Sequence, residues 1–121
     1  MKKELEQYFG CEVKIAEYKN KLPLPIFMTM RDIVMVDIYG VTFAIIDVMK
    51  ETELSVAAMK KQKAKYEEAL QCPVAYEVAI NNVSMRNALV KSGVPFVNLP
   101  GNVFLPFMGI VLQDVYRKQL V

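Results

Sequence analysis

Histidine is absent from the 121 residues. Without an imidazole neither Ser-His-Asp nor Cys-His catalysis can be assembled, and every zinc site that needs a histidine ligand is excluded. Cysteine is scarce. Cys11 and Cys72 stand apart and form no CxxC pair. A disulfide between them stays open on sequence grounds, yet two thiols in a domain long enough to bury a core point to a reducing, cytoplasmic setting. Net charge is also small, at +2, too little to mark nucleic acid or an anionic membrane as a partner. No secretion signal opens the chain, because Glu4 and Glu6 follow Met1-Lys2-Lys3 before any apolar stretch. A long uncharged stretch does run from Ser92 to Gln113, but Pro95, Pro100, Pro106, Gly93, Gly101 and Gly109 interrupt it. A helix in lipid could not satisfy its backbone across so many breaks, so the stretch reads as buried strands and turns.

What the chain does have is apolar material, at 54% against 23% charged residues. That balance belongs to a globular chain, and the length suits one domain over residues 1–121. Leu5, Tyr8 and Phe9 recur at helical spacing and Gly10 is a natural stop, which predicts a short helix over 2–9. Residues 11–18 alternate, with Cys11, Val13 and Ile15 on one side and Glu12 and Lys14 on the other, as in a half-buried strand. Asn20 to Pro25 reads as a turn region. Strand-like runs follow at 26–30, 33–39 and 41–49, with a hairpin turn at Gly40. The main helix is predicted over 52–70, with Val56, Met59, Tyr66 and Leu70 near one face and Pro73 beyond its end. A strand over 74–80, a helix over 85–92 capped by Ser84, and a strand over 94–98 form a parallel crossover unit. Leu99-Pro100-Gly101-Asn102 fits a type II turn, and 103–105 would pair back as a hairpin. A final helix is expected over the last ten residues. The resulting fold class is α/β, a mixed β-sheet with flanking helices. Its order is α-β-β-β-α-β-α-β-β.

This order resembles the restriction-endonuclease-like fold. That fold places an acidic residue on its second strand and an acidic-x-Lys pair on its third. Residues two apart on a strand share a face, so the carboxylate can hold a metal while the lysine sits beside the attacking water. The candidates here are Asp37, Asp47 and Lys50. The residue two after Asp47 is Met49, however, and Lys50 is three away, facing the other side of a regular strand. The trio therefore reads more readily as strand-end charges or an inactive remnant, and neither a metal nor a cofactor is expected.

Other chemistry-bearing residues also have a plain structural reading. Lys60, Lys61, Lys63 and Lys65 could form a phosphate-binding stripe, but they wrap around more than one side of a helix and Glu67 and Glu68 follow. Cys72 comes after a helix end, where the dipole disfavours a thiolate, and reads as a packing residue, as does Cys11. The apolar segment 103–112 is either the closing strand of the core or an interaction surface built on Phe104, Leu105, Phe107, Met108, Ile110 and Leu112.

A further pattern lies in the C-terminal half. Pro73-Val74-Ala75-Tyr76-Glu77-Val78 is followed by an arginine-bearing helix, Met85-Arg86-Asn87-Ala88-Leu89-Val90-Lys91-Ser92. Then come Gly93-Val94-Pro95-Phe96-Val97 and Pro100-Gly101-Asn102-Val103-Phe104-Leu105-Pro106-Phe107. With Leu22-Pro23 ahead of the strand block, this resembles the N-terminal domain of a bacterial family of MarR-type winged-helix transcriptional regulators. The resemblance covers roughly residues 22–110 and is most specific over 86–107. It implies a restriction-endonuclease-like shape and a non-catalytic regulatory or dimerisation role, with a homodimer partner or a contact to a winged-helix domain that these residues do not include. DNA would be met only through that domain. A metal-dependent nuclease using Asp37, Asp47 and Lys50, and a protein-interaction module with no DNA link, are the alternatives.

Overall fold

The structure, a computed structural model, describes residues 1–18, 30–80, 82–99, 102–108 and, for the backbone, 110–113. It is an α/β arrangement built on one seven-stranded mixed sheet whose spatial order follows the chain order. The elements are α1 (Lys2–Phe9), β1 (Lys14–Glu17), β2 (Ile33–Ile38), β3 (Val41–Asp47), α2 (Val56–Leu70), β4 (Val74–Glu77), α3 (Val83–Lys91), β5 (Phe96–Asn98), β6 (Asn102–Leu105) and β7 (Ile110–Gln113). A single 3-10 turn, Pro106–Met108, joins the last two strands.

Pairing follows from the connections. β1, β2 and β3 are joined without helices and pair antiparallel, with Ile33 opposite Ile46 and Ile38 opposite Val41. Tyr39 and Gly40, the two residues between β2 and β3, both hold positive φ, at 55° and 79°. That is the backbone of a type I′ hairpin turn, whose twist matches the flanking strands. The strained Tyr39 is held in place by its hydroxyl, which donates to the Phe9 carbonyl at 2.7 Å. From β3 to β5 the links are helical, and β3, β4 and β5 lie parallel. β5, β6 and β7 return to antiparallel pairing.

The sheet separates two apolar layers. On one face Ile33, Ala44, Ile46, Val74, Tyr76 and Phe96 pack under Met59 and Tyr66 of α2 and Leu89 of α3. On the other, Val36, Ile38, Phe43, Ile45, Ala75, Val97 and Val103 pack under Leu5 and Tyr8 of α1. β3 contributes to both layers, Ala44 and Ile46 to one and Phe43 and Ile45 to the other. That explains its nearly continuous apolar sequence. The buried Tyr76 hydroxyl donates to the Met59 carbonyl at 2.8 Å and ties α2 to the sheet centre.

Several boundaries differ from the sequence reading for local reasons. α2 begins at Val56 because Ser55 caps it, Oγ accepting the Ala58 N–H at 3.0 Å. Asn82, not Ser84, caps α3, its Oδ1 accepting the Met85 N–H at 2.7 Å. Leu112 and Gln113, expected in a terminal helix, belong to β7. Residues 114–121, the Asn20–Pro25 turn region, 26–29 and the Pro100-Gly101 turn lie outside the described residues, and Met30 is an exposed turn residue.

Candidate functional site

The structure does not bring the sequence-predicted trio together. Asp37 lies near the hairpin end of β2, where it accepts a 3.1 Å hydrogen bond from the Thr42 hydroxyl. Asp47 ends β3 at the opposite side of the sheet, beside the start of β2, its N–H donating to the Asp32 carbonyl at 3.0 Å. Five residues of extended chain separate Asp37 from Asp32, about 17 Å at ~3.3 Å per residue. Strand alternation also divides the two. Asp37 shares the parity of Ile33 on the α2–α3 face, while Asp47 shares that of Phe43 and Ile45 on the α1 face. Lys50 is exposed in the turn after β3. Asp47 Oδ1 instead accepts the Met49 N–H at 2.9 Å, closing that turn.

A different set of carboxylates gathers around Asp47. The parallel register places Glu77 of β4 beside it, and Asp32 completes one rim of a hollow of about 330 Å³ whose other walls are Met1, Lys2, Ile15, Val34 and Ile45. Burial pushes the Glu77 carboxyl above the usual range. The Asp47 charge adds to this, the terminal ammonium opposes it, and Glu4 adds a smaller upward push. That ammonium lies 3.2 Å from the Glu4 carboxylate. Asp32 and Glu77 were not candidates on sequence. Asp32 stands opposite Asp47 only once the hairpin register is known, and Glu77 only once β3 and β4 are known to be parallel. Among the described residues no group of three or more carboxylate, thiol or imidazole side chains is arranged to hold a metal ion.

A second cavity, of about 420 Å³, opens at the C-terminal ends of β3 and β4, where the chain leaves each strand for a helix. Buried Val48, Met59 and Val78 border it, with Met49, Met85 and Ala88 alongside. Thr52, Ser55, Asn82 and Ser84 supply neutral polar groups. Glu51 is the one carboxylate in the lining, and Arg31 holds it through two 2.7 Å hydrogen bonds from Nε and Nη2. The same guanidinium donates to Gln62 and, at 3.3 Å, to the Tyr66 hydroxyl, so the β3–α2 loop is fastened to α2. Burial alone would lower the Arg31 pKa, but the hydrogen bonds to Glu51 and Tyr66 and their charges outweigh it and hold the side chain cationic.

The remaining candidates fall on structural positions. Lys60, Lys61 and Lys65 are exposed on α2 and Lys63 pairs with Glu67 at 3.0 Å. Cys11 and Cys72 are free, half-buried thiols. Burial raises the Cys72 pKa; a hydrogen bond with the Ala44 backbone works the other way and Glu67 adds to the rise. The expected interaction surface is corrected in part. Phe104 and Leu105 are buried, at 6% and 0% exposure, and belong to the protein's own core. Alternation along β6 turns them to opposite faces, each already covered. Phe107 packs against Phe43 with its ring tilted by 56° and 5.0 Å between ring centroids, and Met108 packs on the α1 layer. The side chains of Ile110 and Leu112 lie outside the described residues. No described helix is long and apolar enough to cross a membrane. No family model, curated protein or solved structure matches the chain.

Proposed function

We propose that the chain is a non-catalytic regulatory or dimerisation domain of a cytoplasmic bacterial transcriptional regulator, and that two copies pair through the outer edge of β7. The observation that carries this reading is the contrast between the two ends of the sheet. β1 bears Lys14 and Glu17, charges that discourage strand addition, whereas β7, Ile-Val-Leu-Gln, is uncharged and apolar except for Gln113. Among the described residues no strand pairs with the outer side of β7. A second β7 would satisfy that row of backbone groups and continue the sheet. The restriction-endonuclease-like assignment is supported by the chain-ordered strands, antiparallel from β1 to β3 and parallel from β3 to β5. On this reading DNA contact belongs to a winged-helix unit and not to any residue described above.

Proline substitution tests the pairing. Successive N–H groups of a strand point to opposite neighbours, so of Val111 and Leu112 one donates toward β6 and the other outward. Proline at the outward position removes a donor from the free edge alone. Sedimentation equilibrium should show a dimer that Val111→Pro or Leu112→Pro turns into a folded monomer. A wild-type monomer, or a dimer indifferent to both changes, would refute edge pairing.

One observation favours a second reading, a metal-dependent nuclease: Asp32, Asp47 and Glu77 line one hollow at a sheet end, although among the described residues no three such groups are arranged to hold a metal ion. Against it, Met49 holds the place of the lysine, and Lys2 is the one lysine lining the hollow. Plasmid cleavage with Mg²⁺ or Mn²⁺, lost in Asp47→Ala, would replace the regulatory reading; the expected result is no cleavage.

A further inference from the structure

The cavity between α2 and α3 has no part in edge pairing. We infer that it binds a small, uncharged, planar aromatic molecule carrying a hydrogen-bond acceptor. This deepens the regulatory half of the reading above, with the bound molecule as the signal, and rests on it.

Size and place come first. At about 420 Å³ the cavity lies within the range of small-molecule sites. It sits outside the carboxyl ends of two adjacent parallel strands, under the starts of the two helices that follow them. Its walls then select the ligand class. Met49, Met59 and Met85 bring three thioethers to one space, and Val48 and Val78 add apolar surface. Thioethers make favourable contacts with aromatic rings and adapt to their outline. Charge selects further. No lysine or arginine lines the cavity, and its one carboxylate, Glu51, is engaged by Arg31. A charged ligand would therefore lose its hydration without gaining a counter-charge.

The polar groups fix orientation. Ser55 Oγ and Asn82 Oδ1 act as acceptors for the Ala58 and Met85 N–H groups. These bonds hold both side chains at the cavity and use only their acceptor side. The Ser55 hydroxyl proton and the Asn82 amide protons are donors, and they suit a carbonyl or ether oxygen on the ligand.

The test uses the whole chain labelled with ¹³C at the methionine methyls and titrated with benzamide, with cyclohexanecarboxamide as the control of equal polarity and no ring. Benzamide should move the Met49, Met59 and Met85 signals saturably and leave those of Met30 and Met108 in place. Ala88→Leu, which fills the space, should abolish the shifts. Asn82→Asp keeps a good helix cap but lacks the amide donors, and should weaken binding about tenfold. The control amide should bind at least about tenfold more weakly than benzamide. The inference fails if no saturable shift occurs or if Ala88→Leu leaves the shifts unchanged while the Met30 and Met108 signals show an intact fold. Equal binding of both amides would overturn the aromatic class, and unchanged affinity in Asn82→Asp the acceptor. Sedimentation of the same samples reports pairing separately, so failure of the cavity is distinguishable from failure of the edge.

Discussion

Leu5→Ala probes how the α1 face is closed. α1 spans eight residues, too few for a stable helix in isolation, so its order depends on docking. Only Leu5, with no exposed surface, and Tyr8, at 8%, are buried on it. They cover an apolar layer that includes Val36, Ile38, Ile45 and Ala75. Replacing leucine by alanine deletes roughly three carbons, worth ~0.8 kcal/mol each in transfer, or about 2.4 kcal/mol. The space left beneath the helix adds a cavity cost, bringing the total to about 3–4 kcal/mol. Against a typical stability of ~5–15 kcal/mol the variant should still fold. Urea denaturation followed by far-ultraviolet circular dichroism should show a lower midpoint with an unchanged slope. A loss under about 1 kcal/mol at constant slope would refute the docking of α1 described above.

Glu77→Gln should stabilise the protein near about pH 7, because folding raises this carboxyl's pKa through burial and the Asp47 charge. A group raised on folding contributes stability that is fully present below its unfolded pKa and is lost as pH rises through the folded value. The gain should therefore fade as pH falls through the raised folded value and be gone by about pH 4, the unfolded value, and thermal melts between about pH 7 and about pH 4 that show no pH dependence would count against the burial of Glu77. Gln71 closes α2 with φ 57°, a left-handed conformation that favours glycine. Gln71→Gly should stabilise by about 0.5–1 kcal/mol, and chemical denaturation showing a loss instead would mean that the Gln71 side chain contributes more than its backbone costs.

Much of the fold was legible because local rules and packing agree. The hydrophobic spacing of Leu5 and Tyr8, the Gly40 hairpin, the two-sided β3 and the strand-helix-strand unit ending in β5 all follow from period and turn chemistry. The helix starts were less legible, since Ser55 and Asn82 compete with other capping residues nearby and only the bonded N–H groups decide between them. The candidate carboxylates were legible least. Asp37 and Asp47 both sit in strands, but parity and register, which join residues distant in sequence, place them on opposite faces and at opposite ends. The same pairing brings Asp32 and Glu77 to Asp47. The 103–108 segment illustrates a similar limit. Its apolar run suits a partner surface and a core strand equally, and only the burial of Phe104 and Leu105 separates the two.

Pairing through β7 is tested most directly by hydrogen exchange at the four amides of Ile110–Gln113 as a function of protein concentration. Those donating to β6 should be protected throughout, and the alternate, outward-facing amides should become protected as concentration rises, in step with the dimer fraction. Outward amides that exchange rapidly at every concentration would contradict the account.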